Sequence, residues 1–473
     1  MSDLDRYQYG YDQNSNRLWK ANVVGTPVVS GGLDEYYSYD NLNRLTEMRR
    51  GTLNSGKTGI TGTPSREMDY TLDPTGNWSA YLTKTAGTTD LNQTRSHNPV
   101  NEITAIGGTP GWATPPGYDP AGNMNSFPQP GSPSSAYTAV YDAWNRMVSA
   151  SSSGSTVAEY QYDGANCRAV KLTYSGGTLS ETRHFYYTSD WQDVEERVGT
   201  STSMDKQFVQ GIRYVDELVC RDDTTQRLYA TQDANFNLTA IADTSGSVVE
   251  RYLFDPYGNR TIMNTSWSVL SDSACDWIIG FQGLVLDDES GLIYVRNRYL
   301  QPSLGRLVQP DGGYWDGPNL FQYLRSNPVK FIDPWGFLTS GPPFEQHISP
   351  GQHQNYQSFS IGCLVNEKVA NVKVTYPGID DAISEAGWDP ATVHKAIASE
   401  GGSFGGVRGT PTGGCFGFQI RVDTDMRTRL VGDSLQWELY RHYEGLMDGR
   451  LMSDIYAQNA VLTYDCTPCC DGS

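Results

Sequence analysis

The chain has 473 residues, a formal net charge of −19 at pH 7, 38% hydrophobic residues, 49 glycines and 30 tyrosines. The excess of negative charge repels phosphate backbones, which argues against nucleic-acid binding by the protein as a whole. The 12% aromatic content argues against disorder along most of the chain. Tyrosine buries its ring while its hydroxyl stays hydrogen-bonded, so this composition favours half-buried strands joined by tight turns.

The first residues, MSDLDRYQYGYD, already belong to a tyrosine-rich pattern and lack the basic and apolar regions of a secretion signal. No run approaches the roughly 18 apolar residues of a membrane-spanning helix. We therefore expect no membrane span. We also expect either that the chain starts partway through a longer architecture or that it is exported by a route that needs no cleaved signal.

An internal repeat of about twenty residues dominates the N-terminal part of the chain. Each unit has an aromatic residue and Asp, a short turn, and then Asn-Arg or Gly-Asn before a second strand. The Asp residues of the units are Asp12, Asp40, Asp73, Asp119, Asp142, Asp163, Asp233 and Asp255. The Asp carboxylate can accept backbone N–H groups of the turn, and Gly or Asn tolerates the positive φ that the turn needs. Each unit is therefore predicted to be a β-hairpin that is stabilised by stacking on its neighbours.

Two further stretches precede the C-terminal tail. Between residues 175 and 251 the repeat is degenerate, but its residues still alternate as they do in strands. Residues 291–337 are dense in aromatic residues, Gly, Pro and Asn, and they lack a long helical periodicity. Because the repeat ends there and the composition then changes, we predict that this stretch plugs the repetitive β structure and separates it from an unrelated C-terminal domain.

The repeated pattern YxYDxxxNRL resembles the tyrosine-aspartate (YD) repeat of Rhs (rearrangement hot spot) proteins, insecticidal toxin-complex C subunits and teneurins. The stretch 291–337 is similar to the Rhs repeat-associated core. The matching pieces are GLIY from Gly291, RY from Arg298, GR from Gly305, PD from Pro310, NLFQY from Asn319, NPV from Asn327 and DPWG from Asp333. This many matching pieces in so short a stretch make the resemblance specific, and it extends over roughly residues 5–337.

The resemblance implies a mainly β fold in which YD hairpins form a spiralling antiparallel sheet, closed at one end by the core domain. We expect the YD-repeat sheet at residues 1–280, the Rhs repeat-associated core at residues 281–337 and a variable C-terminal domain at residues 338–473. The repeat region is shorter than the shells of such proteins usually are. We therefore expect a partial shell, as in a truncated copy or one piece of a split system.

The tail is predicted to form a small α+β domain, after a linker at residues 340–343. A helix over residues 389–400 is predicted from Asp at the N-cap, Pro at the first helical position and Gly-Gly after the end. Ser434–Met447 is the second predicted helix, and residues 416–422, FGFQIRV, are a predicted strand.

Asp311, Asp316 and Arg306 are the candidate catalytic residues. The resemblance implies self-cleavage of the aspartyl type just after the DPWGF motif, between Phe337 and Leu338. Two carboxylates brought close together do not both ionise, so one can donate a proton while the other activates water, and a neighbouring arginine fixes their geometry.

The competing interpretation is that Asp311 and Asp316 only cap turns, as Asp commonly does. In this family Pro often follows the Asp at the position of Asp311, where this chain has Gly312, and Leu is common at the position of Phe337. Asp333 is expected to cap the turn of the cleavage motif itself.

The tail offers weaker candidates. His347, His353, His394 and Glu400 could form a hydrolase or metal site, but they match no metal-binding spacing, and solvated loop histidines explain them better. Cys415 is a nucleophile candidate only if His394 or His442 lies beside it in space. The terminal CTPCC run is a weak metal signal and is more typical of surface thiols or a disulfide. We predict no cofactor and no metal centre.

The leading functional hypothesis is a polymorphic-toxin-type protein whose β shell encloses or presents a C-terminal effector, released by self-cleavage. The expected partners are an upstream Rhs protein or toxin-complex B-type subunit that completes the shell, an immunity protein, or a carbohydrate. The expected location is outside the cell or on its surface. The alternatives are a non-enzymatic, surface- or wall-associated binding protein for glycans or proteins, and a poorly folded remnant with an incomplete shell.

Overall fold

The computed structural model describes residues 3–112, 114–314 and 316–336, together with six strands of the C-terminal part. The chain divides into two compact units, Met1–Pro342 and Pro343–Ser473. Within the described residues, no helix is long and apolar enough to cross a membrane.

The N-terminal unit begins with an eight-stranded antiparallel sheet in which each strand pairs with the next along the chain. Its strands are β1 Tyr7–Tyr11, β2 Arg17–Asn22, β3 Asp34–Tyr39, β4 Leu45–Gly51, β5 Arg66–Leu72, β6 Trp78–Thr85, β7 Thr88–His97 and β8 Ile103–Thr109.

A second antiparallel sheet of fifteen strands continues the same up-and-down order. Its strands are β9 Gly117–Tyr118, β10 Met124–Gln129, β11 Ser132–Tyr141, β12 Met147–Ser152, β13 Ser155–Tyr162, β14 Arg168–Ser175, β15 Thr178–Tyr187, β16 Asp193–Val198, β17 Lys206–Gln210, β18 Leu218–Asp223, β19 Arg227–Gln232, β20 Leu238–Ala242, β21 Val248–Phe254, β22 Arg260–Asn264 and β23 Val269–Leu270. The degenerate repeats therefore form strands, as their alternation predicts.

The turns show why the repeat needs Asp at its centre. In the third unit, Oδ1 of Asp73 accepts the backbone N–H groups of Thr75 (2.9 Å) and Asn77 (3.0 Å). Gly76, between these two donors, has φ of 87°. The equivalent residue in the second unit, Asn43, has φ of 60°. The predicted turn chemistry is thus confirmed, and each Asp locks the chain reversal between two strands.

The plug, residues 277–336, lies against both sheets and contains a small sheet of its own. Its strands are β24 Val285–Asp287, β25 Leu292–Val295, β26 Arg298–Gln301 and β27 Arg306–Leu307, and its two short 3-10 turns are Phe281–Gly283 and Leu324–Ser326.

The hydrophobic core forms where the plug meets the sheets. One cluster joins Tyr70, Trp78 and Tyr81 of the first sheet to plug residues such as Ile293 and Tyr323. A second joins residues such as Met147 and Tyr160 of the second sheet to Leu292, Tyr294 and Tyr299 of the plug. Each hairpin leaves one apolar face uncovered, and the plug covers these faces.

The first hairpins also contact hairpins from the far end of the second sheet. Lys20 in β2 forms a salt bridge with buried Asp233 at 2.8 Å. Arg50 donates to the carbonyl oxygen of Phe254 at 2.9 Å. The sheets therefore curve around the plug until their distant ends touch, although they do not close into one continuous ladder. This arrangement confirms the predicted partial shell of stacked hairpins closed by the core segment.

The described strands of the C-terminal unit are β28 Asn355–Ile361, β29 Glu367–Thr375, β30 Phe418–Val431, β31 Ser434–Met447, β32 Arg450–Gln458 and β33 Val461–Pro468. Strands β28, β30, β31 and β32 form one sheet in that order, and β29 pairs with β33. The predicted strand at 416–422 overlaps β30. The predicted helix at 389–400 lies outside the described residues.

The helix predicted at Ser434–Met447 is wrong, because this segment is β31, paired antiparallel with β30 along its whole length. The apolar residues Leu435, Trp437 and Leu439 recur at every second position, which is the period of a strand. Pairing with a neighbouring strand satisfies the backbone groups that a helix would otherwise satisfy internally.

Candidate functional site

Arg298, at the start of β26, is the centre of a buried charge cluster in the plug. Its Nη1 lies 3.1 Å from Oδ2 of Asp311, and its Nη2 lies 3.2 Å from Oδ2 of Asp333. The side chain of Arg298 is 4% exposed, that of Asp311 7% and that of Asp333 4%. One guanidinium therefore holds two carboxylates close together out of solvent, a geometry suited to acid–base chemistry.

Asp311 has the chemistry expected of a proton donor. Burial raises its pKa to about 6, against the opposing effect of Arg298, and Asp333 and Asp316 raise it further. Its Oδ1 is buried without a hydrogen-bond partner among the described residues. An acid with a pKa near 6 and one unoccupied oxygen can hold a proton near neutral pH and deliver it to a substrate.

Asp316 lies on the loop that follows Asp311 and forms a salt bridge with Arg325 at 3.0 Å. Its charge acts on Asp311, since it raises the pKa of that carboxyl. Among the described residues, a different arginine pairs with each of the two predicted aspartates, Arg298 with Asp311 and Arg325 with Asp316.

Arg306, the arginine predicted for this site, forms no salt bridge with either aspartate among the described residues. Its Nη2 donates to the carbonyl oxygen of Asn101 at 2.7 Å, and its guanidinium lies 4.5 Å from the centre of the Phe321 ring. Arg298 is therefore the arginine that contacts Asp311, the role that the sequence analysis gave to Arg306.

The segment just before the predicted scissile bond is held by three consecutive side chains. Arg296 donates to the carbonyl oxygen of Pro334 and Arg298 to that of Gly336. Between them, Asn297 Nδ2 donates to the carbonyl oxygen of Trp335 at 2.8 Å. Every carbonyl from residue 334 to residue 336 is therefore fixed by a donor on one short turn, as a bound peptide substrate would be.

Two further contacts hold this segment in place. Asp333 Oδ1 accepts the N–H of Gly336 at 2.9 Å, which is the predicted turn cap. Asp216, in the turn between β17 and β18, holds Arg296 with Oδ1 2.6 Å from Nη2. Gly336 has φ of 72°, and a Cβ there would lie 2.0 Å from the carbonyl oxygen of Val295. Only glycine fits this close approach.

Phe337 and Leu338, the predicted scissile pair, lie outside the described residues, as do His347, His353, His394, Glu400 and Cys415. In the part of the chain that the structure describes, no group of three or more His, Cys, Asp or Glu side chains is arranged to hold a metal ion. Cys167, Cys220 and Cys275 are buried free thiols.

Sequence reasoning missed the roles of Arg298 and Asp216 and assigned Asp333 to the turn alone. Asp216 is distant in sequence from the plug, so no spacing pattern links it to Arg296. Arg298 begins the RY piece of the core motif. The Arg-Asn-Arg run before Tyr299 is the one signal in the sequence for a cluster of hydrogen-bond donors.

The fold is a long meander of Tyr-Asp hairpins wrapped around a plug that carries a buried pair of aspartates, which defines a shell protein of the YD-repeat class. The chain belongs to the Teneurin YD-shell family, whose model matches residues 33–337. The resemblance to Rhs and toxin-complex proteins predicted from the sequence is thereby confirmed.

Three similar proteins illustrate the relationship. The crystal structure of TcdB2-TccC3 has a TM-score of 0.54 at 19% identity, covering 71% of this chain and 17% of that chain. The tRNA3(Ser)-specific nuclease WapA of Bacillus spizizenii is 24% identical over 373 residues, covering 70% of this chain and 15% of that protein. Toxin subunit YenC1 of Yersinia entomophaga is 35% identical over 109 residues, covering 23% of this chain and 10% of that protein. The chain thus spans a small fraction of the length of these proteins.

Proposed function

We propose that this protein is a toxin-type YD-shell protein that cleaves its own chain between Phe337 and Leu338 and so separates the shell from a C-terminal effector. The observation that carries the proposal is the position of Arg298. Its guanidinium contacts Asp311, Asp333 and the carbonyl oxygen of Gly336, the residue next to the predicted scissile pair.

The proposed reaction is hydrolysis by water. One ionised carboxylate takes a proton from the attacking water as its oxygen bonds to the carbonyl carbon of Phe337. Protonated Asp311 donates its proton to the carbonyl oxygen. As the C–N bond breaks, the base passes the proton taken from water to the nitrogen of Leu338, and the carbonyl oxygen returns its proton to Asp311. The products are a new carboxyl terminus at Phe337 and a new amine at Leu338. Arg298 supports the developing negative charge and holds the substrate segment.

Asp333 is the favoured base, because it shares Arg298 with Asp311. Asp316, paired with Arg325, is the second candidate, because its charge also acts on Asp311. Replacing each of them separately by Asn distinguishes the two assignments.

The test is a denaturing gel and intact mass measurement of the purified full chain. We expect the wild type to give fragments ending at Phe337 and starting at Leu338, and Asp311→Asn to remain one full-length chain. Arg298→Gln should slow cleavage by at least about 100-fold, as loss of a transition-state donor does. Asp190→Asn, an exposed turn residue, is the matched control and should cleave normally. Full cleavage of Asp311→Asn, or an intact wild type, would refute the proposal.

The wider role that we propose is presentation of the tail as an effector outside the producing cell. A likeness to TcdB2-TccC3 and to toxin subunit YenC1 supports an upstream B-type toxin subunit as the partner that extends the shell. Inducing residues 338–473 in bacteria should arrest growth if the tail is a toxin, whereas unaffected growth would favour the binding-protein alternative.

A further inference from the structure

A small cavity lies between the first sheet and the plug, and none of its lining residues belongs to the candidate cleavage site. Its volume is about 10 Å³, enough for one water-sized occupant. Three basic side chains line it: Arg95 from β7, His97 at the end of β7, and Arg306 from β27. No Asp or Glu lines it. A buried cavity with this lining is a positively charged site.

The two guanidinium groups make hydrogen bonds only to neutral groups. Arg95 donates to the carbonyl oxygens of Leu304 (3.0 Å) and Ser303 (2.8 Å), and Arg306 donates to that of Asn101 (2.7 Å). Among the described residues, neither arginine forms a salt bridge. Buried arginines are normally paired with a carboxylate, so these two charges lack their usual compensation.

Arg168, in the second sheet, shows the usual solution in the same protein. It is fully buried, and although its Nε, like those of Arg95 and Arg306, has no hydrogen-bond partner among the described residues, its Nη1 lies 2.5 Å from Oδ2 of buried Asp287. Burial lowers the pKa of Arg306, and the nearby Tyr118, Glu102 and Asp73 oppose this shift without forming a salt bridge with the guanidinium. The contrast indicates that no carboxylate of the described part of the chain pairs directly with Arg95 or Arg306.

Each of the two arginines also has a donor without an acceptor. Arg95 and Arg306 are 5% and 6% exposed, and the buried Nε of each has no hydrogen-bond partner among the described residues. Aromatic rings cover the guanidinium faces, with Trp78 at 5.0 Å from Arg95 and Phe321 at 4.5 Å from Arg306. Ring faces offset part of the charge but do not satisfy an in-plane N–H.

The protonation states agree with a site that attracts anions. Burial and the neighbouring Arg306 lower the pKa of Arg95 and of His97, to about 10 and about 4 respectively. At neutral pH, His97 is therefore uncharged while both arginines keep their protons. Two like charges that repel each other in a buried space favour an anion between them.

We propose that this cavity binds one halide-sized anion, chloride in ordinary buffers, between Arg95 and Arg306. The cavity has room for a single small occupant such as a monatomic ion. The bound ion would accept the two unsatisfied N–H groups and would link β7 of the first sheet to β27 of the plug. The residues that line this cavity do not include Arg298, Asp311 or Asp333. The proposed anion site is therefore independent of the proposed self-cleavage.

The test is thermal unfolding of the whole protein in sodium chloride and in sodium gluconate at equal ionic strength. Chloride that binds only the folded state should raise Tm by about 1–2 °C for each tenfold increase above its dissociation constant. Crystals soaked in bromide should show an anomalous peak between Arg95 and Arg306. Equal Tm values in the two salts together with no bromide peak would overturn the proposal.

Variants of the two arginines test whether the effect of chloride on Tm arises at this cavity. Arg306→Gln and Arg95→Gln should each abolish the difference in Tm between chloride and gluconate. The control is Arg66→Gln in β5 of the same sheet, where Arg66 forms an exposed salt bridge with Asp90, and it should keep the difference. If the variants of the two buried arginines fail to fold, the presence or absence of the bromide peak in the wild type shows whether the cavity binds an anion. A variant that folds and still responds to chloride as the wild type does would contradict the proposal.

Discussion

At the scale of single residues, the carboxyl of Asp311 makes a defined contribution to how this protein responds to pH. Burial raises its pKa to about 6 from a value of 3.8 in the unfolded chain. Between these pH values the folded protein holds a proton that the unfolded chain has already lost. This residue's contribution therefore favours folding at low pH and diminishes as the pH rises toward about 6.

The same carboxyl predicts the pH dependence of self-cleavage. If protonated Asp311 is the acid, the cleavage rate should fall by up to about tenfold per pH unit above pH 6. The measurement is the rate at which fragments appear on gels after refolding from denaturant between pH 5 and pH 8. Asp190→Asn should follow the wild-type profile. A rate that rises steadily up to pH 8 would show that Asp311 does not act in its protonated form.

At the scale of elements, the unit of construction is the hairpin with its Asp-centred turn. The carboxylate of Asp73 accepts N–H groups from Thr75 and Asn77, so it satisfies donors that the tight turn leaves without backbone partners. The same geometry recurs at Asp119, where Oδ1 accepts the N–H groups of Ala121 and Asn123, each at 2.9 Å. The repeat therefore preserves a turn more strictly than it preserves the strands on either side.

Asp73→Ala should lower the free energy of unfolding by about 1–3 kcal/mol, because several hydrogen bonds to a charged acceptor are lost together. Urea titration measures the change. Asp90→Ala is the control, since the Asp90 carboxylate has only exposed contacts among the described residues, a salt bridge with Arg66 and a hydrogen bond from Thr85, and it should cost less than about 1 kcal/mol. If the two substitutions lowered the free energy of unfolding equally, the hydrogen bonds of the Asp73 turn would contribute no more to stability than an exposed salt bridge does.

At the scale of the whole N-terminal unit, the contact between its first and last hairpins holds the curved sheets around the plug. The Lys20–Asp233 salt bridge joins β2 to the turn before β20, with the Asp side chain fully buried and that of Lys20 12% exposed. Breaking a buried pair leaves an uncompensated charge, so this contact should matter more than a surface pair.

Lys20→Met should destabilise the unit by about 3–5 kcal/mol, because the buried Asp233 carboxylate would lose its salt bridge and keep only neutral hydrogen-bond donors such as Asn235 and Asn237. Hydrogen exchange should speed up first in β1–β3 and in β19–β21. Lys84→Met, which removes a more exposed salt bridge with Glu67 at 3.2 Å in the same sheet, should have a much smaller effect. Unchanged exchange in β1–β3 of Lys20→Met would show that the first hairpins are held by other contacts.

The sequence by itself determined the hairpins, because the alternation of tyrosines and the chemistry of Asp, Gly and Asn in a tight turn act over a few neighbouring residues. Through a dense run of matching motif pieces it also indicated the plug and gave Asp311 and Asp316 as candidate aspartates, but it assigned Asp333 only to a turn cap. Local information failed at Ser434–Met447, where helical and strand periods compete and the pairing with β30 decides.

Only the tertiary structure decided which arginine serves which carboxylate. Arg298 and Arg306 lie on adjacent strands of the plug, yet one contacts Asp311 and Asp333 while the other lines a cavity with Arg95. The choice depends on where the two sheets press against the plug and which side chains they bury. Because charges are paired by distance in space and not by distance along the chain, no spacing in the sequence could have made that assignment.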